Sequence, residues 1–207
     1  MTKEKCAFCD YNLIKKDVLW ESDNFFVKVG IGIFAPGHVM MISKKHASCF
    51  GELPKQLIKE FMSFKEEVFN KIKSNFFEPI IYEHGIYGQS VKHAHIHFIP
   101  FKTDFFILDD IGKKVFRDLK STQIDNIFQM MDIFEKDGSY MYLEEKDKKQ
   151  IFYTKELQKG LNFRKEIARL TGLHGLADWR NMAKEEEQRN REWIKITKDV
   201  LKKNVKF

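Results

Sequence analysis

Three cysteines in 207 residues are too few and too unevenly placed for a disulfide framework. Two of them form Cys6-Ala7-Phe8-Cys9, a spacing that in reducing surroundings reads as half of a metal site. No apolar run approaches the length of a membrane span, so no membrane partner is expected. The start, Met1-Thr2-Lys3-Glu4-Lys5, is polar and lacks the apolar stretch of a secretory leader, which points to a cytoplasmic protein. Internal repeats and low-complexity linkers are absent too, so the C-terminal half is expected to pack on the rest rather than swing free. An excess of one charge sign is nearly lacking: a net charge of +6 favours anionic ligands such as nucleotides, phosphates or RNA without requiring them. What the chain does have is core. Hydrophobic residues make up 43% of it and aromatics 14%, with 20 phenylalanines, which suits one large domain or a domain with a substantial extension.

Val18-Leu19-Trp20-Glu21 and Phe25-Phe26-Val27-Lys28-Val29 read as two strands joined by Ser22-Asp23-Asn24. After the Pro36-Gly37 turn, His38 to Ile42 reads as a buried strand. Between Pro54 and Ser74 the residues Leu57, Phe61, Phe64, Val68 and Ile72 recur at helical spacing. Pro79 to Glu83 is the next strand, and a histidine-bearing strand ends at Pro100, which cannot donate to a ladder. The order strand, strand, strand, helix, strand, strand predicts an α+β fold on an antiparallel five-stranded sheet with a packed helix. Beyond Phe106 the pattern predicts a mixed extension. It comprises a helix over 113–136, a hairpin around Lys146-Asp147-Lys148, a helix with Phe163, Ile167 and Leu170 stopped near Gly172, and a charged helix from Met182 to Lys203. The expected division is a catalytic domain over 1–105 and an extension over 106–207.

The densest chemical signal is Gly88-Gln89-Ser90-Val91-Lys92-His93-Ala94-His95-Ile96-His97-Phe98-Ile99. Alternation by two puts the imidazoles of His93, His95 and His97 on one strand face and Ala94, Ile96 and Phe98 on the other. Imidazoles on a buried strand need hydrogen-bond or metal partners. Cys6, Cys9, His46 and His93 suit a tetrahedral zinc, with His46 following a strand end and His93 outermost of the three histidines. Residues two apart on a strand face lie about 7 Å apart. A zinc on His93 is then too far from an atom bonded to His95 to act as its Lewis acid, so the zinc is expected to be structural. His95 and His97 remain for chemistry. A neutral imidazole attacks phosphorus well when its other nitrogen is held by an acceptor, and His38 on the neighbouring strand could orient it. Gln89 and Ser90 offer an amide and a hydroxyl to phosphate oxygens, and Gly88 allows close backbone approach.

These residues resemble the histidine triad (HIT) superfamily, whose signature is three histidines alternating with apolar residues. Pro36-Gly37-His38-Val39-Met40-Met41-Ile42-Ser43-Lys44-Lys45-His46 is similar to the family's other strand motif, and the resemblance spans about residues 6–102. It implies that His95 attacks the α-phosphate of a nucleotide or dinucleotide to form a nucleotidyl-histidine, supported by His97 and His38. It further implies that Gln89 bridges toward the scissile oxygen, that Ser90 binds phosphate, that zinc sits on Cys6, Cys9, His46 and His93, and that the protein is a homodimer. Two departures stand out. Gly30 occupies the position where many members carry an acidic residue or asparagine toward the ribose, and Tyr82-Glu83-His84-Gly85 replaces an Asn-x-Gly pattern. Arg164 and Arg180 in the extension offer contacts to a polyphosphate or, equally, structural ion pairs. Two other readings compete: a nucleotide- or RNA-binding module with a vestigial site, and a zinc hydrolase using all three histidines. The second conflicts with a separation of about 14 Å between residues four apart on a strand.

Overall fold

The structure, a computed structural model, describes residues 6–102, 119–155 and 163–203. The expected domain boundary at 105 and 106, and residues 113–118 of the expected helix, lie outside them. Eight strands make one antiparallel sheet among the described residues: β1 Val18–Glu21, β2 Phe25–Val29, β3 Val39–Ser43, β4 Pro79–Glu83, β5 His95–Pro100, β6 Ser121–Gln123, β7 Tyr140–Glu145 and β8 Lys148–Tyr153. Their spatial order is β1-β2-β3-β5-β4-β7-β8-β6. The five strands expected from the first half are therefore present, and the extension continues the sheet from the β4 edge. There β7 pairs with β4 in the register Ile81↔Glu144, Tyr82↔Leu143 and Glu83↔Tyr142. Adding strands to that edge satisfies backbone groups that would otherwise face solvent.

The sheet is covered on both faces, which is why most of its strands are buried throughout rather than alternating. One face presents Phe25, Val27, Met41, Ile96, Phe98 and Ile81 to helix α2 (Ile58–Asn75). That helix buries Ile58, Phe61, Phe64, Val68 and Ile72 as its spacing predicts, each side chain contributing about 1.5–3 kcal/mol. Leu57, counted in the helical stripe from sequence, instead lies in the short 3-10 turn Lys55–Leu57 that leads in. The opposite face carries two smaller clusters. Ile14, Phe26, Met40 and Ile42 pack under the N-terminal arm, which contains α1 (Tyr11–Ile14). Ile80, Tyr82, Ile99, Leu143 and Phe152 pack with Phe163, Ile167 and Ala168 of α4 (Phe163–Leu170). Between them, on this second face, the histidines are left uncovered enough to line a cavity.

The extension departs from the sequence reading in one place. The helix expected over 113–136 is present as α3 (Phe128–Asp137), stopped by Gly138 in the left-handed region at φ 73°. Residues 121–123 form β6 instead, paired with β8 through Thr122↔Ile151. The apolar pair Ile124 and Ile127 is buried as a helical stripe would be, but in the turn between β6 and α3. The hairpin β7-β8, the helix ending before Gly172 and the charged helix, here α5 (Lys184–Lys203), all form where the sequence places them.

Helix α5 and the segment before it grip the β2–β3 connection. Asn190 Oδ1 accepts from the Gly32 N–H at 3.0 Å, and its Nδ2 donates to the Ile33 carbonyl at 3.0 Å. Thr197 Oγ accepts from the Gly37 N–H at 2.8 Å. Gly32, at φ 66°, has no room for a side chain: a Cβ there would meet Trp179 Cβ at 2.4 Å. On the α2 face, Glu83 fixes the turn after Cys49 by accepting from the Phe50 N–H at 2.8 Å and from the Tyr140 hydroxyl at 2.5 Å.

Burial pushes the Glu83 carboxyl up to about 8 from its ordinary 4.5. The folded state then holds this proton more tightly than the unfolded chain. Its stabilising contribution is complete below about 4.5 and is lost as pH rises through about 8. Urea titrations across that window are expected to show stability declining with pH, and Glu83→Gln to flatten the decline; an unchanged slope would assign it to other groups.

Candidate active site

Each functional side chain follows from the register of the central strands. Met40 pairs with both Lys28 and His97, and His97 pairs on its other side with Tyr82. One rung of the sheet thus reads Lys28, Met40, His97, Tyr82. The next reads Phe26, Ile42, His95. These side chains share a face, and a cavity of about 490 Å³ opens over them. That volume suits a ligand of nucleotide size. His95 and His97, at 7% and 8% exposure, both line this cavity. Gly88 and Ser90 form part of its wall, as do Tyr82, His84, Arg164 and Trp179.

The hydrogen bonds set the tautomers. His38 Nδ1 accepts from the Phe34 N–H at 3.1 Å, so in the neutral ring Nε2 carries the proton. That Nε2–H donates to His97 Nδ1 at 3.1 Å, leaving the His97 proton on Nε2. His95 Nδ1 donates to the His93 carbonyl at 2.6 Å, which leaves the lone pair on His95 Nε2. Burial holds His38, His95 and His97 below the ordinary histidine range and so keeps the rings neutral. Tyr82 stacks flat on His97 with ring centres 4.4 Å apart, fixing that ring from the β4 side.

His93 lies just before β5, in the bend that leads into it, and turns away from the cavity. Its Nε2 donates to the Ser43 carbonyl at 2.7 Å, so its Nδ1 keeps a lone pair that points at the cysteines. His93 Nδ1 lies 3.3 Å from Cys6 Sγ, 3.5 Å from Cys9 Sγ and 3.3 Å from His46 Nδ1, and Cys9 Sγ lies 3.2 Å from His46 Nδ1. All four atoms fall within 4.8 Å of one another. With metal–ligand bonds of about 2.0–2.3 Å, ligands on a tetrahedral zinc sit about 3.3–3.8 Å apart. The Cys2His2 cluster is therefore compatible with zinc. Cys6 and Cys9 come from one tight turn closed by the Cys9 N–H to the Cys6 carbonyl at 3.0 Å.

Most residues singled out from sequence are brought together in two adjoining groups, His38, His95, His97, Gly88 and Ser90 in one, and Cys6, Cys9, His46 and His93 in the other. Gln89 is not in the cavity wall. Its Nε2 donates to the Ser48 carbonyl at 2.7 Å. Arg164 lines the cavity but spends its guanidinium on backbone: Nε donates to Ala177 O at 3.1 Å, and Nη2 to the carbonyls of Gly32 and Leu176. Arg180 is exposed and stacks on Trp179 with its guanidinium 4.1 Å from the ring centre.

Three wall residues escape a reading by motif. Phe8, inside the Cys6-x-x-Cys9 turn, sets its ring edge-on to His93 at 5.8 Å and to His95 at 5.5 Å, separating the cluster from the cavity. Lys28 is buried, donates to the Val29 carbonyl at 2.7 Å, and is lowered by burial to about 8. His84 is buried too, and burial lowers it to about 3. A lysine in the strand Phe25–Val29 was the available signal for the second; Phe8 becomes visible only once the cysteine turn is seated beside His93 and His95, and His84 only in the folded cavity.

The HIT domain model matches residues 12–104. An uncharacterized HIT-like protein of Methanocaldococcus jannaschii is 28% identical over 100 residues, covering 46% of this chain and 78% of the relative. Among solved structures, a hypothetical histidine triad nucleotide-binding protein of Sulfolobus tokodaii is 22% identical, with a TM-score of 0.41, covering 48% of this chain and 77% of that one. A zinc-bound histidine triad family protein of Mycobacterium smegmatis is 19% identical, with a TM-score of 0.42, covering 50% and 79%.

Because Arg164 ties the β2–β3 connection to the extension, Arg164→Met leaves the Gly32, Leu176 and Ala177 carbonyls without that donor. Urea unfolding is expected to show a loss of about 1–3 kcal/mol, and Arg164→Lys to restore only part of it. Wild-type stability in Arg164→Met would remove the clamp from the account.

Proposed function

Residues 12–104 of this chain are a HIT domain, and from that premise we propose a nucleotidyl hydrolase or transferase that cleaves at the α-phosphate of a nucleotide or dinucleotide through a covalent intermediate on His95. The observation that carries this reading is the His95 Nδ1–H bond to the His93 carbonyl at 2.6 Å, which leaves the Nε2 lone pair as the nucleophile. His95 Nε2 attacks phosphorus, the leaving group departs with the bonding electrons, and the ring gains positive charge that the His93 carbonyl stabilises. His97 Nε2–H donates to a phosphoryl oxygen, and His38 holds His97 in that tautomer. Water, or an acceptor in a transferase, then attacks phosphorus and returns His95 to its neutral form. Ser90 and Gly88 serve the phosphate, and Gln89 holds the loop that presents them through Ser48. All of these groups come from residues 1–105; residues 106–207 add Arg164 and Trp179 to the wall.

Cys6, Cys9, His46 and His93 would hold a structural zinc, which when bound cross-links the N-terminal arm to the bend before β5. A metal site made of the three histidines is disfavoured, because His93 Nδ1 faces the cysteines and His97 Nδ1 accepts from His38, which leaves the His97 proton on Nε2.

Denaturing mass spectrometry after brief mixing with a dinucleoside polyphosphate or a nucleoside phosphoramidate is expected to show a nucleoside monophosphate on the wild-type chain. His95→Asn is expected to lose that adduct and to slow turnover by about three orders of magnitude or more. Turnover that survives His95→Asn contradicts the covalent route. Elemental analysis is expected to find zinc on the purified protein, and a chelator or Cys9→Ser to lower Tm; a Tm indifferent to both would remove the metal from the fold.

A further inference from the structure

His84 lies outside the triad motif, yet the sheet puts it beside the nucleophile. β4 and β5 pair in the register Pro79↔Pro100, Ile80↔Ile99, Ile81↔Phe98 and Tyr82↔His97. Carried two residues further, that register sets His84 across from His95, on the face that Tyr82 and His97 share. Residues directly opposite on paired strands have Cβ atoms about 5 Å apart. The electrostatics agree, since the charge state of His95 acts on His84 and that of His84 acts on His97. His84 is 94% buried by its 6% exposure, lines the same cavity, and is held edge-on to Tyr82 at 5.4 Å between ring centres.

The chain then leaves β4 through Gly85 at φ 51° and Ile86 at φ 103°, so the histidine stands at the last position before a sharp turn. Its Nε2 is enclosed and has no hydrogen-bond partner among the described residues. A buried polar atom without a partner is costly to a fold, and such an atom in a ligand cavity is accounted for when the ligand supplies the partner. In this cavity the ligand atom nearest to hand is an oxygen of the phosphoryl group that His95 attacks.

We propose that His84 is a catalytic residue whose Nε2–H donates to a phosphoryl oxygen of the substrate while His95 bonds to phosphorus. This rests on the nucleotidyl-transfer reading above. The substrate class it selects is one with a tetrahedral phosphoryl centre carrying a free oxygen on the β4 side. The hydrogen bond strengthens as negative charge builds on that oxygen in the transition state, so its loss falls on the rate of adduct formation more than on binding.

Two measurements on the full chain test this. In the first, imidazole nitrogen NMR follows His84 as inorganic pyrophosphate is titrated into wild type and into His95→Asn. In the second, a single turnover with a dinucleoside polyphosphate gives the rate of adduct formation for wild type, His84→Phe and His84→Gln. Pyrophosphate is expected to shift the His84 Nε2 resonance in both proteins. His84→Phe, which keeps the ring contact with Tyr82, is expected to form adduct about 100-fold more slowly with nucleotide affinity nearly unchanged, and His84→Gln, which retains an N–H donor, to recover part of the rate. A wild-type rate in His84→Phe, or a His84 resonance that pyrophosphate leaves unmoved, overturns the proposal. If no protein forms an adduct but the His84 resonance still shifts, the covalent reading fails while the phosphate contact at His84 stands.

Discussion

One residue, His93, joins the two halves of the site. Its imidazole faces Cys6, Cys9 and His46, and its backbone carbonyl accepts from His95 Nδ1 at 2.6 Å. The side chain is locked by its own bond to the Ser43 carbonyl, so the peptide that follows cannot rotate freely. Whatever fixes the cluster therefore fixes the acceptor that sets the His95 tautomer. This coupling explains why the cysteine turn, about 90 residues away in sequence, belongs beside the histidine strand. Phe8, packed edge-on to both His93 and His95, adds an apolar partition that keeps the two polar groups separate.

Around that link the sheet works as a ruler. Register alone places Lys28, Met40, His97 and Tyr82 on one rung and Phe26, Ile42 and His95 on the next. The extension completes the arrangement from outside. β7 covers the β4 edge, α4 packs Phe163 on Tyr82 at 4.9 Å between ring centres, and α5 holds Gly32, Ile33 and Gly37. A rigid β2–β3 connection and a backed Tyr82 leave the cavity with fixed walls on the sides where Lys28 and His97 stand. Arg164 meanwhile gives its Nε and Nη2 to the carbonyls of Ala177, Gly32 and Leu176 while standing in the cavity wall.

Much of this was legible in the chain. Strands β1, β2 and β4 have the limits that hydrophobic patterning and turn residues predict, and the spacing of three histidines and two cysteines announced both chemical groups. What was not legible depends on pairing between distant segments. Ser121 to Gln123 falls within the helix expected over 113–136, just before the stripe that opens with Ile124 and Ile127, but pairing with β8 draws the segment into the sheet. Gln89 reads as a phosphate ligand from its place before the strand, and the fold adds that its Nε2 donates to the Ser48 carbonyl. Lys28 carries no motif, and its burial shows only once both faces of the sheet are seen to be covered. His84 belongs to no chemical motif; only the fold shows that it shares a cavity with His95.

The claim on which the rest turns is that His95 is neutral with its proton on Nδ1, held there by the His93 carbonyl. Imidazole nitrogen NMR on the full chain at neutral pH reads this directly. The account predicts a protonated Nδ1 and a bare Nε2 on His95. A proton on Nε2, or a doubly protonated ring, would contradict it.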